Sequence, residues 1–290
     1  MGEASRTAAR AGRSTAGLLG RPERWLLYGL ATMGALLMLI PVYWMVVTSF
    51  KAPGDILHYP MQWLPAPWYL GNYARVFEVI PFFLYFFNSL LVAGAVALSN
   101  LALCSLAGYS LANFHYPGRD VVFVAIIATM MIPVQLLFIP LFLVVKTLDL
   151  TNTYWSLILP AAMNPMAVFL MRQGMLGMPR ELAEAARIDG AGELRIFLRI
   201  VMPLMTPTLV TLLIFTFTWS WNAFLWPLIV IKSSELFTLP LGLSAFQDLY
   251  GIEYGPLMAA MTITVLPMFI AFATLQRYFI KGMALTGLKV

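Results

Sequence analysis

Charge is scarce in this chain. Of its 290 residues only 11% are Asp, Glu, Lys or Arg, against roughly 25% in a soluble domain. With 61% hydrophobic residues and a mean hydropathy of +0.82, it falls among the polytopic membrane proteins. Cysteine is almost absent. The single Cys104 excludes an intramolecular disulfide and a Cys-rich metal site; it lies in an apolar run and reads as a small packing residue. The two histidines, His58 and His115, stand far apart in loop-like sequence, which argues against a metal-binding or catalytic pair. The net charge of +5 is spread in a way that speaks of membrane topology rather than of nucleic acid.

What is present is a series of charge-free apolar runs. Taking roughly twenty residues per crossing, six spans are expected, at about 26–49, 84–112, 121–145, 154–171, 204–231 and 257–276. The uncharged stretch from Val79 to Phe114 exceeds one simple crossing, and Pro81 is expected to close a short interfacial segment before the span. Placing the N-terminus inside leaves only Lys51, Arg75, Lys146 and Lys232 of the 18 Lys and Arg outside. The positive-inside rule therefore puts both termini in the cytoplasm. Residues 1–24, rich in Ala, Arg, Gly and Ser, read as a disordered basic cytoplasmic tail, ahead of a six-span transmembrane domain over 25–290. The run from Leu26 to Val47 is too long for a signal-peptide core and reads as a retained anchor. The outer segment 50–80 is dense in proline and tryptophan, as in an interfacial loop.

No Asp, Glu, Lys, Arg or His lies in the interior of any expected span. Proton- and sodium-coupled carriers usually need such groups, although backbone carbonyls can bind sodium. A membrane protease or redox enzyme would need a carboxylate pair, metal cluster or haem ligands, and none is visible. Transport through this chain would draw its energy from elsewhere. The uncharged polar residues Asn88, Ser89, Asn100, Gln135 and Asn164 suit either interhelical hydrogen bonds, worth roughly 0.6–2 kcal/mol each, or the lining of a path for a polar solute. Trp219, Trp221 and Trp226, with Asn222, suit either an interfacial belt or platforms for sugar rings.

One stretch is densely charged. From Arg180 to Arg199 four arginines and four acids alternate with apolar residues, in the cytoplasmic loop 179–203 by the topology above. Pro179 is suited to a helix start, and Glu181 and Glu184 to its positive end. Ala183, Ala185 and Ala186 would form a surface that another backbone can approach. Gly190 and Gly192 break the helix. A second short helix over 193–201 would turn Leu194, Phe197, Leu198 and Val201 to one side, opposite Arg195 and Arg199. An interfacial hairpin on anionic lipid and a docking knob for a soluble partner are both compatible with this pattern.

Glu184-Ala185-Ala186, then Gly190, Ile200 and Pro203 at the observed spacing resemble the EAA-loop signature of binding-protein-dependent ABC importer permeases, with Met202 in place of the usual leucine. Ser49-Phe50-Lys51, Trp63-Leu64-Pro65, Asn72-Tyr73, Asn88-Ser89, Trp221-Asn222, Leu239-Pro240-Leu241 and Gln276-Arg277-Tyr278-Phe279 are similar to the smaller permease of carbohydrate importers, of which that of the maltose importer is the best known. The basic N-terminal tail lies outside that pattern.

The resemblance implies an all-α, six-span type I permease fold in the inner membrane, with a coupling helix between the fourth and fifth spans. It implies a second, related permease, two ATP-binding subunits that use ATP and Mg, an external solute-binding protein and a sugar-like solute. This chain would carry no cofactor, metal or catalytic residue. Glu181, Glu184, Ala185, Ala186, Arg187, Asp189 and Gly190 would couple it to the ATPase. Asn88, Gln135, Asn164, Trp221 and Asn222 are candidates for the substrate path, and Leu239, Pro240, Leu241 and Gly242 for contact with the binding protein. The alternative is a self-sufficient, gradient-driven carrier or channel for a small polar solute.

Overall fold

A computed structural model describes residues 21–248 and 251–286. The first twenty residues of the expected tail lie outside them. Its last four are helical, because α1 runs from Arg21 to Ser49, continuing through Pro41. The long helices that follow are α3 (Phe82–Asn113) and α13 (Tyr254–Thr286). Stretches of these three are long and apolar enough to cross a membrane. Ahead of α3 lies the short α2 (Gly71–Val79), with Pro81 at the junction.

The other three expected spans are not single rods. The segment expected at 121–145 is α4 (Arg119–Thr129) and α5 (Phe138–Thr147), the latter led by a 3₁₀ turn; the two arms meet at 95°. That at 154–171 is α6 (Tyr154–Ile158), a 3₁₀ turn, and α7 (Pro165–Leu176), bent by 40°. That at 204–231 is α10 (Thr206–Trp221), a break at 222–224 and α11 (Leu225–Val230). α10 is preceded at 81° by α9 (Glu193–Leu204), which but for Leu204 falls in the expected loop 179–203. By length and composition the described residues hold three helices fit to cross a membrane, and up to six spans if each bent pair is one. Proline explains the breaks: Pro133, Pro165 and Pro207 lie at them, and each removes an amide donor and crowds the preceding turn.

Backbone groups freed by a break need new partners in an apolar surrounding. Asn100, fully buried on α3, supplies them for the α6–α7 break. Its Nδ2 donates to Ala161 O at 2.7 Å and its Oδ1 accepts from Asn164 N at 2.8 Å. Asn164 in turn caps α7, its Oδ1 accepting from Met166 N at 2.8 Å.

α3 is the organising rod, packed on both α7 and α10, while α13 packs on α1, α2 and α10. The α3–α7 crossing is close because of Gly108: a Cβ there would stand 2.7 Å from Met171 Cβ and 3.0 Å from Arg172 N. Small residues of this kind let membrane helices approach. One core surrounds the C-terminal half of α3, with Tyr109, Met171, Phe197 and Val201. Another surrounds its N-terminal half, with Tyr85, Trp221, Leu239 and Phe246.

Short elements complete the chain. They are α8 (Glu181–Ile188), α11 (Leu225–Val230), α12 (Leu239–Gly242) and an antiparallel pair, β1 (Gln247–Asp248) with β2 (Gly251–Ile252). The motif residues of the first loop form one clamp. Asn72 Nδ2 donates to Ser49 O and Lys51 O at 2.9 and 2.8 Å, and Ser49 and Tyr73 share a hydroxyl bond of 2.8 Å. Buried Lys51 donates to Gln62 O at 2.6 Å and sits 4.0 Å over the Trp44 ring. Desolvation pushes its ammonium pKa down, and Asp55 partly opposes that.

Candidate functional site

The charged loop folds as expected into a helix, a glycine break and a second helix. At the end of α8, Gly190 takes a left-handed φ of +81°. Its N–H bonds Arg187 O at 3.0 Å, and Ala191 N–H bonds Ala186 O at 2.9 Å. These two bonds are a Schellman cap, the motif in which glycine is favoured because it takes positive φ without Cβ strain. A Cβ at Gly190 would meet no neighbour, so the requirement there is conformational rather than steric.

Among the alanines the structure separates two roles. Ala183 is buried and Ala186 half-buried against the chain's own core. Ala185 remains outside with Glu181, Glu184, Arg187, Asp189 and Ile188, the last 87% exposed. The outward face of α8 is therefore an apolar tip framed by acids, not the three-alanine surface expected from sequence.

The second helix is rotated from its expected setting. Ile196, Phe197 and Val201 are buried, while Leu194 and Leu198 lie outside beside Arg195 and Arg199. Glu193 sets the rotation. Arg187 Nε and Nη2 bond its carboxylate at 2.6 and 3.2 Å, and Tyr109 Oη donates to it at 2.7 Å. The carboxylate is thereby drawn toward α3, and the hydrogen bond with Glu193 raises the Arg187 pKa. A π turn over Phe197–Val201 fits one extra residue into the helix before Pro203.

Of the five residues expected along a solute path, two meet. Gln135 and Asn222 line a cavity of about 640 Å³ with Phe138, Thr218, Trp219 and Trp226. Asn222 Nδ2 also donates to Thr218 O at 2.8 Å. The other three lie elsewhere. Asn88 is buried and saturated: it donates to Glu235 O and Phe237 O at 2.8 and 2.9 Å and accepts from Tyr154 Oη at 2.7 Å. Asn164 is the cap of α7 described above. Trp221 is buried between Phe86 and Phe217, with ring centroids 5.6 Å away on both sides. Trp219, two residues earlier and 48% exposed, lines the cavity instead, because helix positions two apart point about 200° apart.

The expected binding-protein contacts also turn inward. Leu239, Leu241 and Gly242 are buried, Pro240 is half-buried, and Ser89 Oγ accepts the Leu239 N–H at 2.7 Å. Four apolar residues of six between 238 and 243 make this a core turn. Exposed residues of the same loop include Lys232, Glu235, Ser244, Ala245, Gln247, Glu253 and the Gly251–Ile252 strand. Tyr109, the partner of Glu193, carried no sequence signal, since it sits in a charge-free span far from the loop.

Three comparisons bear on this arrangement. The family model described as binding-protein-dependent transport system inner membrane component matches residues 104–285. The arabinooligosaccharides transport system permease protein AraQ of Bacillus subtilis is 38% identical over 260 residues, 89% of this chain and 92% of that protein. The sn-glycerol-3-phosphate transport system permease protein UgpE of Yersinia enterocolitica is 32% identical over 259 residues, covering 87% and 92%. Among solved structures, a chain of a bacterial ABC transporter involved in import of the acidic polysaccharide alginate superposes with a TM-score of 0.80. It is 23% identical, and the match covers 90% of this chain and 99% of that one. The fold is thus that of the type I ABC permeases.

Proposed function

The chain belongs to the family of binding-protein-dependent transport system inner membrane components, and from that premise we propose that it is a permease subunit of an ATP-driven importer for a sugar or sugar-like solute. The observation that carries this reading is the outward face of α8. Glu181, Glu184, Ala185 and Ile188 stand exposed at the tip of a capped helix that is packed on the chain's own spans through Ala183. A helix held from within and bare without suits a seat in a separate ATPase. ATP-driven closure of two such subunits would displace α8 and bias the spans between inward- and outward-facing states. ATP and Mg belong to those subunits, and this chain hydrolyses nothing.

The path for solute would be shared with a second, related permease, and the external solute-binding protein would deliver to it. Trp219, Trp226, Asn222 and Gln135 offer ring faces and amides, the chemistry that recognises sugars. The named relatives, a permease for arabinooligosaccharides and one for sn-glycerol-3-phosphate, support a polyhydroxylated solute. We place both termini and α8 in the cytoplasm, following the distribution of Lys and Arg.

The test is Glu184→Lys in the intact complex. It reverses charge on the exposed face and leaves the core untouched. The ATP-binding subunits are expected to be lost from the purified complex while the chain stays in the membrane. Full retention with normal uptake would sink the assignment of α8.

A further inference from the structure

Glu193 opens α9 and is fixed from two sides. Arg187 reaches it from α8, and Tyr109 reaches it from α3. Tyr109 is only 4% exposed, and its ring packs on Phe197 and Phe114 at 5.1 and 5.6 Å. A buried phenol hydroxyl requires a partner, and here the partner is a carboxylate belonging to the docking loop. Apart from this chain of bonds, α8 grips the core through the methyl groups of Ala183 and Ala186, which bury little apolar area. The directional contact between the docking loop and the spans is concentrated in three side chains. It ends on α3, whose opposite half holds the outer loop through Asn88 and Ser89.

We propose that Arg187, Glu193 and Tyr109 form a latch that makes the docking loop and α3 move as one body, with Tyr109 a positioning residue of the transport cycle. This rests on the reading of α8 as the ATPase contact. The segment from Gly190 to Gly192, between α8 and α9, holds two glycines, whose backbone rotates with the least steric hindrance in the loop. Without the latch, a displacement of α8 would be absorbed there by backbone rotation. With it, the carboxylate bonds, stronger and more directional than neutral ones, carry the displacement into α3. The same three residues explain why α9 turns Glu193 inward and leaves Leu194 and Leu198 outside.

The experiment uses the whole complex in nanodiscs, with Cys104→Ala and spin labels at exposed Arg180→Cys and Leu106→Cys, one beside α8 and one on α3. MgATP with vanadate is the probe. With the latch intact, the interlabel distance is expected to be the same with and without nucleotide. Tyr109→Phe keeps the ring packing and removes one hydroxyl. It is expected to give a nucleotide-dependent shift of about 2–5 Å, the scale of helix displacements in switching proteins. A structural brace alone would not produce a shift that depends on nucleotide. Glu193→Gln still accepts from Tyr109 but loses the ion pair, and a smaller shift in the same direction is expected. Should Tyr109→Phe fail to assemble, Glu193→Gln carries the test.

A distance that stays nucleotide-independent in these variants overturns the latch. If Glu184→Lys nevertheless sheds the ATP-binding subunits, the docking reading survives that result. If Glu184→Lys retains those subunits and imports normally, the docking reading falls and the latch with it.

Discussion

Gly190 and Asn100 show how single residues hold this chain in shape for opposite reasons. Gly190 is needed for what it lacks. Its φ of +81° closes the cap of α8, and an L-residue there carries a left-handed penalty of about 1–2 kcal/mol. Gly190→Ala is expected to loosen the last turn of α8 by that amount, seen as roughly 5- to 30-fold faster amide exchange at Gly190 and Ala191. Asn100 is needed for what it offers. It satisfies Ala161 O and Asn164 N where the α6–α7 backbone opens. Asn100→Ala leaves those groups buried without a partner, at about 1–3 kcal/mol. A lower thermal midpoint in detergent, with α8 exchange unchanged, is the expected signature. The bonds of Asn100 are not legible in sequence, because hydrogen bonds between residues more than sixty positions apart leave no periodic trace.

At the scale of the element, the close crossing of α3 on α7 depends on Gly108. Gly108→Ala would place a methyl group against the α7 backbone, where yielding is costly, and is expected to destabilise by about 1–3 kcal/mol. Thermal unfolding of the purified chain would measure this. The positions of the helices were legible in sequence, because long apolar runs and prolines mark lengths and breaks. The angles at the breaks were not. A proline predicts a disruption but not whether the next segment leaves at 40° or 95°. The docking loop was legible down to its glycine cap, since capping is local chemistry. The face presented by α9 was not, because a tyrosine more than eighty residues away rotates Glu193 inward. Likewise Leu239-Pro240-Leu241 is visible in sequence as a point of resemblance, yet only packing shows that its leucines are core.

For the whole molecule, the arrangement is a rod, α3, with a loop hydrogen-bonded to each half. One end meets the docking loop through Tyr109, and the other meets the outer loop through Asn88 and Ser89. Between them, α10 brings Trp219 and Asn222 to the cavity. Such a layout suits a permease that is moved by a partner rather than one that runs on a gradient. The direct test is uptake into proteoliposomes of the sugar held by the cognate binding protein. It compares this chain alone with the full set: partner permease, ATP-binding subunits and external binding protein. Uptake only with the full set and MgATP, and none by this chain alone under a proton or sodium gradient, is the predicted result. Gradient-driven uptake by this chain alone, without ATP or partners, would contradict the account.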